Sequence, residues 1–166
     1  SYSAEMAGLF DRFESVMTPE QIQQMKDSIQ ALPIDAIWLT LIEGLFAGVT
    51  INAIAAFGEE IGWRGFLLRE LKNMSFVKAS LIIGFVWGIW HAPLILMGHN
   101  YPEHPEVGVI MMILWCILLT PLFIYITLKS KSVIAAAILH GTLNGTAGIA
   151  ILKIQGGSDL TIGITG

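Results

Sequence analysis

The chain has 166 residues, 54% of them hydrophobic and only 13% charged, with a mean hydropathy of +0.68 and a formal net charge of -4. This is too apolar for an ordinary soluble domain and makes the bilayer the expected solvent, while the scattered Lys and Arg residues form no basic patch for nucleic acid. The single cysteine, Cys116, excludes a disulfide framework and a cysteine metal site, and it is expected to be a small packing residue.

In chain order, the first residues are polar, with no initiator Met and no signal-peptide pattern. Thr18-Pro19-Glu20 predicts a helix start, with Thr18 as N-cap and Pro19 at the first helical position. Ile22, Met25, Ile29 and Leu32 then recur at helical spacing, so this short amphipathic helix is expected on the membrane surface or on the bundle. Four apolar segments of membrane-spanning length follow: 37–57, interrupted by Glu43 and Asn52; 79–97, containing His91; 107–128, uncharged; and 133–152, containing His140 and Asn144. Residues 37–71 are too many for one straight helix across a ~30 Å hydrocarbon core. That stretch is expected to tilt, protrude or break, with Gly58 and Gly62 as candidate break points. Pro93 predicts a kink just beyond His91. Residues 155–166 read as a Gly-rich loop without a terminating helix, which with the polar start suggests a fragment truncated at both ends. The expected fold is all-α: a multi-pass transmembrane bundle of about four membrane helices plus the short amphipathic helix.

Arg64, Arg69, Lys72 and Lys78 follow the first apolar segment and Lys129 and Lys131 the third, whereas the 99–106 loop carries acids and no Lys or Arg. The positive-inside rule makes the basic loops cytoplasmic and residues 1–35 extracytoplasmic. At about 1.5 Å per helical residue, Glu60, His91 and His140 then all fall roughly 14 to 20 Å from their basic loops, near mid-bilayer.

Ionisable groups at that depth face a partner or a water-filled cavity. Glu60 and Arg64 stand four apart with the acid first, which suits an ion pair, but one Arg cannot serve Glu59 equally, because neighbouring helical residues point about 100° apart. Trp87 and His91 repeat the spacing, as do His140 and Asn144. A lone membrane His or Asn is ordinarily glue between helices, and Trp87 alone is a packing residue. Glu43 and Asn52 are expected to face the bundle without a chemical role.

Together, Glu59-Glu60-x-x-x-Arg64 in GEEIGWRG, His91 in FVWGIWH and His140-x-x-x-Asn144 in LHGTLN are far more specific than any one of them. The chain resembles the CPBP family of intramembrane proteases, which groups type II CAAX prenyl endopeptidases with bacteriocin-processing and immunity relatives. The resemblance covers residue 36 to the C-terminus, as a catalytic core. Trp87 departs from the commoner Phe, a change expected to touch packing more than chemistry. The resemblance implies peptide-bond hydrolysis inside a prokaryotic cell membrane, on peptide or lipidated protein substrates. Glu59 would be the general base, with His91 sharing its water; Glu60, bonded to Arg64, would fix the helix end; His140 and Asn144 would donate to the oxyanion. A zinc variant would use Glu59 or Glu60 with His91 and His140. The metal-free variant is favoured, since no HExxH helix is present and Asn144 suits an oxyanion better than zinc. Outside this chemistry, the same polar cavity could serve a non-catalytic immunity or peptide-binding protein, or a proton-coupled transporter.

Overall fold

The computed structural model describes residues 10, 17–147 and 158–162, and among these every regular element is helical. Helix α1, Pro19–Gln30, starts where expected: Thr18 Oγ1 accepts the Gln21 N–H at 3.3 Å and Gln21 Oε1 accepts the Thr18 N–H at 2.9 Å. None of its residues is fully buried, although Ile22, Met25 and Ile29 of its apolar stripe are half-buried.

Helix α2, Ala36–Val49, is capped by Asp35, whose carboxylate accepts the Ile37 N–H at 2.9 Å. Helix α3, Ile51–Glu60, continues it after a bend of 44°. The break falls at Thr50 and not at either expected glycine. There the Thr50 hydroxyl donates back to the Phe46 carbonyl at 2.6 Å, a bond that bends helices, whereas Gly58 and Gly62 border open space. From Ile61 to Leu67 the chain widens into a π-helix, followed by one α-turn, α4, Leu68–Glu70. Helix α5, Phe76–Trp90, is capped by Ser75, and α6, Ala92–Leu96, carries Pro93 in its first turn. Proline has no N–H to continue the ladder, and the helix is interrupted at His91, beside the kink predicted just beyond it. Helix α7, Pro105–Ser130, ends on Lys131 in the left-handed region at φ 54°, and α8, Val133–Thr146, starts from the Ser132 cap. A short helix α9, Asp159–Ile162, lies within the stretch expected to be all loop.

Two helical stretches are long and apolar enough to cross a membrane, Phe76–Leu96 and Pro105–Ser130, and the bent pair Ile37–Val49 and Ile51–Glu70 makes a third if it is one span. Helix α8 is too short to qualify by itself, and residues 148–152 of the expected fourth span lie outside the described residues.

Helix α5 packs along α7, and α2 and α3 pack along α8. Glycines four apart set these contacts, because they let backbones touch. A Cβ on Gly141 would sit 2.3 Å from the Gly48 carbonyl oxygen, one on Gly44 2.3 Å from that of Gly145, and one on Gly88 2.5 Å from the Ile113 Cα. The obstructing atoms are backbone, so relief requires moving a helix. Gly141→Ala is expected to destabilise the protein by about 1–3 kcal/mol or more, read as an earlier thermal melt in detergent; an unchanged melt would show that the α2–α8 contact is looser than described.

Polarity is arranged inside out. Glu60, Arg64, Thr120 and His140 are buried, while Ile54, Leu118 and Phe46 stand exposed, as expected where lipid replaces water. Glu43 departs from its expected inward position and is exposed. Gly44 and Gly48 own the face of α2 that meets α8, and the residue before Gly44 is turned about 100° away. Asn52 is half-buried beside Gly145, and Cys116 is a buried packing residue as predicted.

Candidate active site

The acidic pair stands at the end of α3, where the ladder passes into the π-segment. Glu60 is fully buried, and its Oε1 accepts from Arg64 Nη1 at 2.9 Å, the predicted i,i+4 pair. The same oxygen accepts from His140 Nδ1 at 2.9 Å, a bond across 80 residues that spacing could not reveal. The Arg64 guanidinium lies over the Trp87 and Phe123 rings, 4.4 and 4.3 Å from their centroids, so π-faces replace the water it has lost. Arg64 is thus a site residue and no loop charge; the positive-inside count for that loop rests on Arg69, Lys72 and Lys78.

Glu59 is turned out of this ion pair. It accepts from Trp87 Nε1 at 3.2 Å and lines a cavity of about 610 Å³ together with His91, His140 and Asn144. Beyond the packing expected of it, Trp87 thus spends its indole N–H on a carboxylate. His91 Nδ1 donates to the Trp87 carbonyl at 2.8 Å. A carbonyl only accepts, so Nδ1 carries the proton and Nε2 of a neutral His91 keeps its lone pair. The His140 assignment follows the same logic with a different result. Its Nδ1–H goes to Glu60, so a neutral His140 has no second N–H to offer an oxyanion. His99 and Asn100 also line the cavity, although no motif had marked them.

Residues 36–146 match the Rce1-like type II CAAX prenyl endopeptidase family, a span that takes in all six motif residues. The chain belongs to this family. It is also similar to CAAX prenyl protease 2 of Methanococcus maripaludis, 36% identical over 55% of this chain, and that match takes in only 36% of the relative's length. No solved structure matches the chain.

In this CAAX endopeptidase family member the zinc alternative needs three ligand atoms converging on one point. Among the described residues, the group whose ligand atoms lie within 4.8 Å of one another is Glu103, His104 and Asp159; Glu59, Glu60, His91 and His140 form no such group. The bonds to Trp87 leave Glu59 Oε1 and His91 Nε2 open, so what the motif residues as placed lack for a resident zinc is the convergence of three ligand atoms.

The Glu103 group is instead a clasp outside the bundle. Asp159 accepts the backbone N–H groups of Glu103 and His104 at 2.9 and 3.0 Å and the His104 ring N–H at 2.7 Å. Burial works to raise the Asp159 carboxyl, but these donors outweigh it and hold the group below its ordinary range. Its stabilising contribution is therefore present above the unfolded-state value and lost as pH falls through the lowered one. Helix α9 is tied by this clasp to the loop that brings His99 and Asn100 to the cavity.

Proposed function

We propose that this chain is the catalytic core of an intramembrane endopeptidase that hydrolyses peptide bonds of membrane-associated or prenylated substrates with a water activated by Glu59 and His91. The observation that carries the reading is the meeting of Glu59, His91, His140 and Asn144, from three separate helices, around one cavity inside an apolar bundle. Glu59 takes a proton from the water while His91 Nε2 accepts its other hydrogen. The water oxygen bonds to the scissile carbonyl carbon, and the carbonyl electron pair moves onto oxygen. Asn144 and the Nε2–H of His140 donate to that oxyanion. Because His140 already gives Nδ1–H to Glu60, this role needs it as the imidazolium. Collapse breaks the C–N bond, and the proton held by Glu59 passes to the departing amine.

Comparing membrane-protein termini in cells with and without the active protein tests the reading. A new terminus that disappears with Glu59→Gln supports it. Stoichiometric peptide protection without a cut product would favour the immunity or binding alternative, and proton-coupled flux in vesicles would favour a transporter. On purified active protein, exhaustive chelation should leave the rate within about twofold; loss of activity restored by stoichiometric zinc would overturn the metal-free mechanism.

In the same reading the bent α2–α3 pair is one span, α8 belongs to the fourth, and the basic loops are cytoplasmic in a prokaryotic cell membrane, with residues 1–35 outside. A single cysteine at Glu106, in a Cys116→Ala background, should react with impermeant thiol reagents on intact cells, and one at Ser130 should not. The opposite pattern would reverse the orientation.

A further inference from the structure

The two halves of the proposed water-activating pair come from different helices, Glu59 from the end of α3 and His91 from the end of α5. Both are held by the same residue. Trp87 donates its indole N–H to Glu59 Oε2 at 3.2 Å, and its backbone carbonyl accepts the His91 Nδ1–H at 2.8 Å. These bonds leave one acceptor open on each partner, Oε1 of Glu59 and Nε2 of His91, and both residues line the cavity.

Trp87 is itself fixed. It is buried at 3% exposure, with its ring edge-on to Phe123 and His140 at 5.4 and 5.3 Å and the Arg64 guanidinium 4.4 Å from its centroid. An isolated carboxylate at a helix end has freely turning side-chain torsions, and a buried donor at fixed position removes that freedom. Phenylalanine, the alternative aromatic at this position, can supply the packing and the backbone carbonyl but not the donor.

We infer that Trp87 is a positioning residue for Glu59: its indole N–H selects which carboxylate oxygen faces the water, while its backbone carbonyl sets the tautomer of His91, so one residue aligns both acceptors of the pair. The inference rests on the proposed hydrolytic reading for its kinetic consequence, but the Trp87–Glu59 bond can be tested without turnover.

Two replacements separate the donor from the ring. Trp87→Phe removes the donor and part of the ring, whereas β-(3-benzothienyl)alanine incorporated at position 87 keeps the bicyclic shape and replaces only N–H by sulfur. The isostere should lower kcat roughly tenfold, in line with the cost of misplacing a reacting group, with KM and thermal melt unchanged, and Trp87→Phe should lower kcat at least as far. A residue that merely packs would shift the melt with Trp87→Phe and leave kcat untouched with the isostere; that result would overturn the inference while leaving the hydrolytic reading intact. Independently, the detergent-solubilised protein labelled with 15N in its five tryptophan indoles gives a resonance for Trp87 that is assigned by its disappearance in Trp87→Phe. Glu59→Gln should move that resonance more than any other indole signal. If it moves no more than the rest, the bond is absent and the inference fails, whether or not a substrate is cut.

Discussion

Glu59→Gln is expected to reduce peptide-bond cleavage by on the order of 10²-fold or more, with the thermal melt and substrate binding close to those of the parent protein. The side chain lines the cavity and takes no part in the buried ion pair, and its described hydrogen bond is the one from Trp87. A glutamine of the same shape can still accept from that indole N–H through its amide oxygen, so the local fold has little reason to change. What is lost is the basicity that takes a proton from water. Initial rates and melts on the purified variant decide the matter. If the variant melts early, Glu59 is a structural residue and the general base lies elsewhere.

Glu60→Gln is expected to fail in the opposite manner, through stability first. Its Oε1 is the common acceptor for Arg64 and His140, and the residue is fully buried. Neutralising it leaves the Arg64 guanidinium uncompensated at membrane depth, a change that costs roughly 3–5 kcal/mol when a buried partner is removed. The new amide also brings buried N–H donors to a position where Glu60 Oε2 has no hydrogen-bond partner among the described residues. Activity should fall as well, because His140 loses the carboxylate oxygen that holds its ring in place. Arg64→Met combined with Glu60→Gln removes both charges and should recover part of the lost melting temperature without restoring turnover. If Glu60→Gln keeps the parent melt and is inactive while Glu59→Gln unfolds early, the two glutamates have exchanged roles. If the paired variant melts no later than Glu60→Gln alone, the Arg64 charge is not what destabilises it.

The contrast between these neighbours shows how far local sequence reaches. The Glu60–Arg64 bond was legible because four residues along a helix is about one turn, and that geometry survives the passage into the π-segment. The π-segment itself was not legible, and neither were Trp87 as a donor and His140 as a second partner of Glu60. The last two depend on contacts between segments far apart in the chain, for which hydrophobic periodicity carries no signal. The break at Thr50 is intermediate. Its back-bond to Phe46 is local, yet a threonine in a helix makes such a bond without forcing a 44° bend unless packing selects it, and here the adjoining Gly44 and Gly48 are pressed against α8.

The sequence by itself determined the solvent, through hydropathy; the helix start at Pro19, through Thr18; the interruption beside His91, through Pro93; and the Glu60–Arg64 pair, through a spacing of four in apolar surroundings. These are properties of one turn or one segment, set by backbone donors, torsions and transfer energies that act locally. The tertiary structure alone decided that Glu43 faces outward, that Arg64 lies between two aromatic rings, that Glu60 is shared, and that Glu59 and His91 are both held by Trp87. Those outcomes follow from how glycine-lined helices dock, since a rotation of one residue about a helix axis, about 100°, exchanges an inward for an outward side chain at almost no cost in local backbone energy.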